Sequence, residues 1–294
     1  MRNPLISFII LLATSVVIAN APADSVGSQE VAKVSTKGPM EKDYFDFLRK
    51  LHGEQPKEPS NLLGRLAGSS NDLAEYKISE YNTYLKIYFP NHHSDHVQRF
   101  MIESFIDQGK WNEVEVALLK FVYLYPNSEL KNTVIENGYI LLEEEDYYQS
   151  NKNKLLTMLQ GAPQSGEIQD RYFKFLSGIH SLRDPKLKRL FKREAWEYLR
   201  LYSNLPRASK ALMGLAGVEV SNGAHHSALM IYEKLMIMHP TSHEYSTALF
   251  QAGKLKQEQF NEENEAIANF GQFLMQFPEH RFVSEAQYRI ATIA

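Results

Sequence analysis

The chain has 294 residues, of which 44% are hydrophobic and 23% charged, and it contains no cysteine. This composition is typical of a folded protein with a sizeable core and not of a disordered one. The absence of cysteine excludes disulfides, thiolate metal sites, a cysteine nucleophile and the lipid-modified cysteine of a lipoprotein. The formal net charge of −3 supplies no overall positive field, so nucleic-acid binding is not predicted.

Residues 1–23 have the features of a secretory signal peptide. Arg2 precedes an apolar run over residues 5–18, which has the length of a signal peptide's hydrophobic region but is short for a membrane-spanning helix. Cleavage is predicted after Ala19 or after Ala23, and retention as an uncleaved membrane anchor is the alternative. No later segment has the ~18 continuous apolar residues of a transmembrane helix. We therefore expect export, with no transmembrane segment after signal cleavage.

Residues 24–60 are predicted to be a flexible lead-in that contains one short helix. Residues 24–37 are rich in Ser, Val, Gly and Lys and lack helical periodicity. The apolar residues between Tyr44 and Leu51 predict an amphipathic helix that ends at Gly53, and two prolines within residues 55–60 then break the chain. We expect this helix to dock on the main body, and a partner-binding motif is the alternative.

A repeating pattern fills residues 61–294. Apolar residues at helical spacing lead in most units to Tyr, Phe or His directly before a proline, and the six anchors are Pro90, Pro126, Pro163, Pro206, Pro240 and Pro278. Their separations of 36, 37, 43, 34 and 38 residues are close to the ~34-residue period of helix-turn-helix solenoids. Six hairpins are predicted, of which the third is poorly marked. Residues 284–294 predict a capping helix, with a truncated sequence as the alternative.

The second, fifth and sixth units carry similar residues at nearly the same offsets. These residues are Gly109, Val114, Leu118 and Phe121; Gly223, Ala228, Tyr232 and Leu235; and Asn261, Ala266, Phe270 and Phe273. The first unit is looser, with Tyr81 or Asn82 at the aromatic position. Glycine permits the positive φ of a tight turn, the small residue lets two helices approach, and the aromatic ring fills the gap between them. Three serines that follow the prolines are predicted to cap the next helix, namely Ser128, Ser209 and Ser242.

This order of residues resembles the tetratricopeptide repeat (TPR) over roughly residues 71–294, although Asn261 stands where the repeat has its turn glycine. The resemblance implies an all-α fold, a right-handed α-solenoid of about six TPR-like helical hairpins. Residues 109–111, 124–128 and 285–291 are more narrowly similar to the envelope branch of the family, the BamD/CpoB-like periplasmic TPR proteins. That narrower resemblance implies a periplasmic location.

One concentrated basic stretch provides a candidate partner-binding site. It contains Arg183, Lys186, Lys188, Arg189, Lys192 and Arg193, and apolar residues are interleaved with them as in an amphipathic helix. The residues predicted to bind a partner are Lys188, Arg189, Lys192 and Arg193. Such a face can receive an acidic peptide, an anionic glycan or lipid headgroups. The alternative is a solvated outer face that packs through its leucines.

Metal sites and catalytic groups are not predicted. His92, His93 and His96 follow Pro90 with only Asp95 as a nearby carboxylate, so a solvated polar turn is favoured over a metal site. The acidic run over residues 143–146 points in several directions on a helix and is interpreted as a solvated helix end. The sequence contains no phosphate-binding loop and no nucleophile paired with a base. We therefore expect no cofactor, no bound metal and no enzymatic activity.

The sequence as a whole predicts a non-catalytic periplasmic scaffold that binds an envelope protein or peptide, in outer-membrane assembly or cell-envelope coordination. The alternative is an accessory subunit of polysaccharide export or cell-wall turnover that binds glycan or positions an enzyme. A hydrophobic groove with charged ends would favour a peptide, and exposed aromatic side chains would favour a glycan. A buried polar cluster shared by several helices would favour an enzyme. No oligomeric state is predicted.

Overall fold

A computed structural model describes residues 39–53, 70–136 and 152–293, and these ranges contain helices and turns but no strand. The described helices belong to one compact unit, Gly38–Ala294. The predicted signal peptide, the break at residues 55–60 and the acidic run at 143–146 lie outside the described residues. The boundary predicted between residues 60 and 61 also lies outside them and stays a prediction.

The helices follow one another with short turns between most of them. They are α1 (Pro39–Gly53), α2 (Ser70–Tyr88), α3 (Ser94–Asp107), α4 (Trp111–Leu124), α5 (Lys152–Gln160), α6 (Ile168–Leu182), α7 (Lys188–Tyr202), α8 (Ala208–Ser221), α9 (His225–Met238), α10 (Glu244–Leu255), α11 (Glu263–Gln276) and α12 (Val283–Ile293). Residues 131–136, at the end of a described range, are helical as well. A 3-10 turn, Pro185–Leu187, precedes α7, and a π-helical turn, Lys256–Phe260, extends α10. None of the described helices is long and apolar enough to span a membrane.

Neighbouring helices pack as a chain of hairpins. Helices α3 and α4, α6 and α7, α8 and α9, and α10 and α11 form pairs, and each pair also packs on the next, with α12 lying on α11. The predicted all-α solenoid of helical hairpins is therefore confirmed. Most of the apolar repeat positions are buried, including Phe121, Tyr232 and Phe270. In the first unit the buried aromatic residue is Tyr81, whereas Asn82 is exposed.

The turn inside each of these four hairpins contains a residue with positive φ. Gly109 and Gly223 have φ of 62° and 72°, as the sequence predicted. Asn261 adopts the same left-handed conformation with φ of 54°, so it takes the place of the turn glycine, and asparagine tolerates this region better than most residues. Arg183 occupies it in the turn between α6 and α7, with φ of 53°.

Helices α4 and α6 lie on either side of residues 137–151, which the structure does not describe. Helix α4 packs directly on α6, and α5 makes only slight contact with α4. Arg171 on α6 donates hydrogen bonds to the backbone oxygens of Tyr123 (3.1 Å) and Leu124 (2.9 Å), so it caps the carboxyl end of α4. The helices on either side of the poorly marked third unit, α4 and α6, are thus in direct contact.

The predicted capping by serine is wrong at two of three positions. Ser128 does accept a hydrogen bond from the backbone N–H of Leu130, and it donates one to Asp95. Ser209 lies inside α8, where its hydroxyl bonds to the Glu244 carboxylate at 2.8 Å. Ser242 does not cap α10, which begins at Glu244. Ser242 lies two residues before the start of α10, whereas α8 already begins at Ala208, one residue before Ser209. Ser128 and Ser209 instead connect neighbouring hairpins.

The short helix α1 docks on the repeats, as expected. Phe45, Leu48 and Leu51 are buried in the common core with α2 and α3. Polar contacts add to this packing at both ends of α1, where Glu41 bonds to His93 and His52 bonds to Glu103. Helix α1 therefore forms part of the described repeat body.

We predict that Ala266→Leu destabilises the fold by about 1–3 kcal/mol, because an added isobutyl group overpacks a closely packed helix interface. Ala266 is fully buried between α10 and α11. The approach of these helices is so close that a Cβ on Gly253 would lie 2.9 Å from the Phe270 ring. Urea unfolding measures the change.

The matched control is Ala268→Leu on the same helix, where the side chain is exposed. Its stability should stay within about 0.5 kcal/mol of wild type. Equal stability of the two variants would show that Ala266 does not set the helix spacing.

Candidate protein-binding grooves

Helix α7 carries the four basic residues that the sequence identified. Its opposite face is apolar and buried through Leu190, Phe191 and Ala195, so the predicted amphipathic helix is confirmed from Lys188 onward. Arg183 and Lys186 lie in the turn before it. The four basic side chains make different contacts.

Two of the basic residues tie α7 to neighbouring helices. The Lys192 ammonium lies 2.6 Å from the carboxylate of Glu219 on α8, and Glu219 is buried. Arg189 pairs with Glu113 on α4, although its own side chain is largely exposed. Both side chains already have carboxylate partners within the protein, so the structure gives them a stabilising role.

Arg193 belongs to a buried polar cluster that joins α4, α6 and α7. At its centre is Glu194, whose carboxylate accepts hydrogen bonds from Lys120 (2.6 Å), Tyr172 (3.0 Å) and Arg193 (2.9 Å). Burial raises the pKa of this carboxyl, but the charges of Lys120 and Arg193 outweigh that effect and hold its pKa at about 2. Glu194 is therefore an ionised, fully partnered carboxylate.

The protonation states of this cluster do not suit acid–base catalysis. A carboxyl with a pKa near 2 is too weak a base at neutral pH, and burial raises the pKa of Tyr172 far above its usual value. Glu115 is the described carboxyl with a pKa near neutrality, about 7, because burial disfavours its charge. It lines neither of the two grooves described below. The absence of enzymatic activity stays a prediction.

A groove of about 310 Å³ lies where α6, the start of α7 and α8 meet, and we name it the α6–α8 groove. Its lining residues are Ile179, His180, Arg183, Asp184, Leu187, Lys188, Phe191, Gly217, Val218 and Ser221. The apolar members Ile179, Leu187, Phe191 and Val218 are buried and form its hydrophobic part. The volume is near the lower end of the ~300–1,000 Å³ range of ligand pockets, which suits one or two side chains.

Charged residues line the same groove. Arg183 is exposed, and Lys188 donates a hydrogen bond to the Ser221 hydroxyl at 3.0 Å. Burial and the charge of Arg183 lower the pKa of His180, so this residue is neutral at physiological pH. Gly217 contributes open space, because a Cβ there would meet no atom within 4 Å. The groove thus combines an apolar interior with two cations, Arg183 and Lys188, and one carboxylate, Asp184.

A second groove of about 140 Å³, the α2–α7 groove, is mainly polar. It is lined by Asn82, Leu85, Lys86, Gln98, Met101, Ala117, Lys120, Arg193, Glu194 and Glu197. The Glu194 cluster forms part of its wall, and Glu197 pairs with Arg200 on the same helix. Lys188 and Arg193, which the sequence placed in one site, therefore border two separate grooves.

Comparison with known proteins leaves the family open. No protein-family model matches the chain, and no curated protein matches it. Among solved structures, the chain is similar to TTC0263, a thermophilic TPR protein of Thermus thermophilus, with 12% identity and a TM-score of 0.30. The alignment covers 86% of this chain and 98% of that one. A TM-score of 0.30 does not establish a shared fold, so the fold assignment rests on the helices themselves.

The sequence interpretation missed Glu194 and Lys120. Both have a recognisable signal, because Lys120 interrupts the apolar run from Val116 to Leu124 and Glu194 directly follows the basic stretch. A lone charge on an apolar helix face usually needs a partner when it is buried. That rule identifies each residue as paired, but it does not identify the partner.

We predict that Glu194→Gln lowers stability by about 3 kcal/mol at pH 7, because the folded state holds this carboxylate ionised with a pKa of about 2, against 4.5 for the free group. The stabilisation is complete above pH ~5 and is lost as the pH falls through 4.5 towards 2. The difference between wild type and variant should therefore shrink over that range. Unfolding curves measured from pH 7 to pH 2.5 provide the comparison.

Glu197→Gln is the control, since it makes the same substitution one turn later on the same helix. Glu197 forms a partly exposed pair with Arg200, and such pairs contribute about 0.5 kcal/mol or less. If both variants were destabilised equally, or if the effect of Glu194→Gln did not depend on pH, the buried cluster would not have the assigned role.

Proposed function

We propose that the protein is a non-catalytic scaffold whose α6–α8 groove binds a peptide segment of a protein partner. The single observation that carries this proposal is the combination of a buried apolar interior with Arg183 and Lys188 in one groove. An apolar side chain of the partner would enter the groove, and an adjacent Asp or Glu would pair with the cations. Apolar burial supplies the affinity, and the charges set orientation and selectivity.

The character of the grooves favours a peptide over a glycan. The exposed aromatic side chains among the described residues are Phe47, Tyr76, Trp196 and Tyr288, which lie on four separate helices. None of these lines either groove. Glycan binding would require accessible aromatic platforms in a groove, so an accessory role in polysaccharide export or cell-wall turnover has less support.

The setting that we propose is the periplasm of a bacterial envelope. The support comes from the signal-peptide features of residues 1–23 and from the resemblance of the repeats to BamD/CpoB-like TPR proteins. In this setting the partner is an envelope protein, and the scaffold acts in outer-membrane assembly or in the coordination of an envelope complex.

The sharpest test fills the groove without disturbing the fold. Gly217→Leu places a side chain in open space on a helix, and leucine has a better helix propensity than glycine, so the protein should stay folded. A photo-crosslinking residue introduced in place of Ser221, in the natural host, should trap one defined partner. Mass spectrometry then identifies that partner. We expect Gly217→Leu to abolish this crosslink and Lys188→Glu to reduce partner affinity by about 10-fold.

Each variant has a matched control. Gly271→Leu makes the same substitution at another helical glycine with open space around it, and Lys210→Glu reverses an exposed charge on α8 outside the groove. Both controls should keep the crosslink. Loss of the crosslink in the controls, or its survival in Gly217→Leu, would place the partner elsewhere. Reversal of all four predicted residues would be uninformative, since it breaks the pairs with Glu113, Glu194 and Glu219.

The proposed export is tested independently of the groove, by the position at which the mature protein begins. We expect the mature protein, purified from the periplasmic fraction of its host, to begin at Asn20 or Asp24 after signal cleavage. N-terminal sequencing or intact mass measures this directly. A chain that retains Met1 and remains with the membrane pellet would instead support the uncleaved anchor, and one that retains Met1 in the cytosolic fraction would contradict export.

A further inference from the structure

The docking of α1 brings a buried carboxylate to a pair of histidines. Glu41 lies in the first turn of α1, whereas His92 and His93 lie in the elbow between α2 and α3. One donor atom from each of the three residues lies within 4.8 Å of the others. The sequence favoured a polar turn here because Asp95 was the only carboxylate nearby along the chain, and the fold supplies a different one.

The spacing suits a metal ion. The Glu41 carboxylate oxygen Oε1 is 3.0 Å from Nδ1 of His93. Two ligands that each bind Zn²⁺ at 2.0–2.1 Å in a tetrahedral site lie about 3.3 Å apart, so a small opening of this pair admits the ion. His92 is exposed and its ring lies 3.8 Å from that of His93, which leaves it room to turn its nitrogen towards the same point.

Two of the three ligands are held in place by their surroundings. Glu41 is 5% exposed, and its Oε1 accepts hydrogen bonds from Asn91 (2.9 Å) and from Tyr84. The ring of Phe45 stacks on His93 at 3.9 Å with an interplanar angle of 8°. Neighbours that orient ligands in this way are a regular part of metal sites in proteins.

A neutral imidazole and an ionised carboxylate are the ligand forms that a divalent metal requires. The His93–Glu41 hydrogen bond is the contact that the metal would replace.

We propose that Glu41, His92 and His93 form a binding site for a divalent transition-metal ion, with Zn²⁺ as the probe, and that a water molecule completes the coordination. A set of two imidazoles and one carboxylate binds Zn²⁺ and similar transition-metal ions in preference to Mg²⁺ or Ca²⁺, which favour oxygen ligands. The ion joins the start of α1 to the α2–α3 elbow, so its binding stabilises the first part of the described repeat body. This site is independent of the two grooves and of the proposed peptide partner.

The experiment titrates Zn²⁺ into the purified, metal-free protein without an affinity tag, by calorimetry and by thermal unfolding. We expect one saturable site and a rise in melting temperature with Zn²⁺ concentration, because the ion binds only the folded arrangement. His92→Ala should weaken Zn²⁺ binding by at least about 10-fold and remove the temperature shift. His92 is the decisive position because it is exposed, whereas loss of His93 also removes the bond to Glu41 and the stack on Phe45.

Two other histidines provide the controls. His96 pairs with Asp95, and His52 pairs with Glu103 at the opposite end of α1. Among the described residues, neither histidine belongs to a group of three side chains that could hold a metal ion. His96→Ala and His52→Gln should keep the wild-type affinity for Zn²⁺. Absence of saturable binding, or equal binding by wild type and His92→Ala, would overturn the proposal and leave Glu41 and His93 as a hydrogen-bonded clamp of α1.

Discussion

The direct contact between α4 and α6 joins helices α1 to α4 with helices α6 to α12. A single helical hairpin cannot bury its own apolar face, so a solenoid depends on an unbroken sequence of neighbours. Here the apolar contact is completed by polar groups: Arg171 satisfies the last carbonyls of α4, and Glu194 on α7 binds Lys120 of α4 and Tyr172 of α6. These bonds join α4 to both α6 and α7.

Helix α7 connects the contact between α4 and α6 with the two grooves. Its amino-terminal end contributes Lys188 and Phe191 to the α6–α8 groove, while its middle contributes Arg193 and Glu194 to the α2–α7 groove. Ion pairs to Glu113 and Glu219 hold the helix against α4 and α8. A groove whose walls are fixed before a partner arrives loses less side-chain freedom on binding. In the proposed function, α7 would therefore serve recognition through the contacts that also stabilise the fold.

The features that follow from local spacing could be predicted from the sequence. Apolar periodicity and the six prolines identified the hairpins, and Gly109 and Gly223 identified the turns, because these signals act within a few residues.

The site could be predicted only in part. Lys120 and Glu194 are 74 residues apart, and Glu41 and His93 are 52 apart, so their pairing depends on the packing of whole helices. Ser209 failed as a predicted cap for the same reason, since it meets a carboxylate of the next hairpin.

The charges of the basic stretch argue for a short acidic peptide rather than a polyanion. Of the four predicted binding residues, three are paired with Glu113, Glu219 and Glu194, and the remaining one, Lys188, lies beside an apolar groove. A membrane surface or a charged glycan gains affinity from many unpaired cations acting together, and that gain falls steeply with salt. Where most cations already have internal partners, apolar burial supplies the larger share of the binding energy. The few remaining charges then select the orientation of the bound segment.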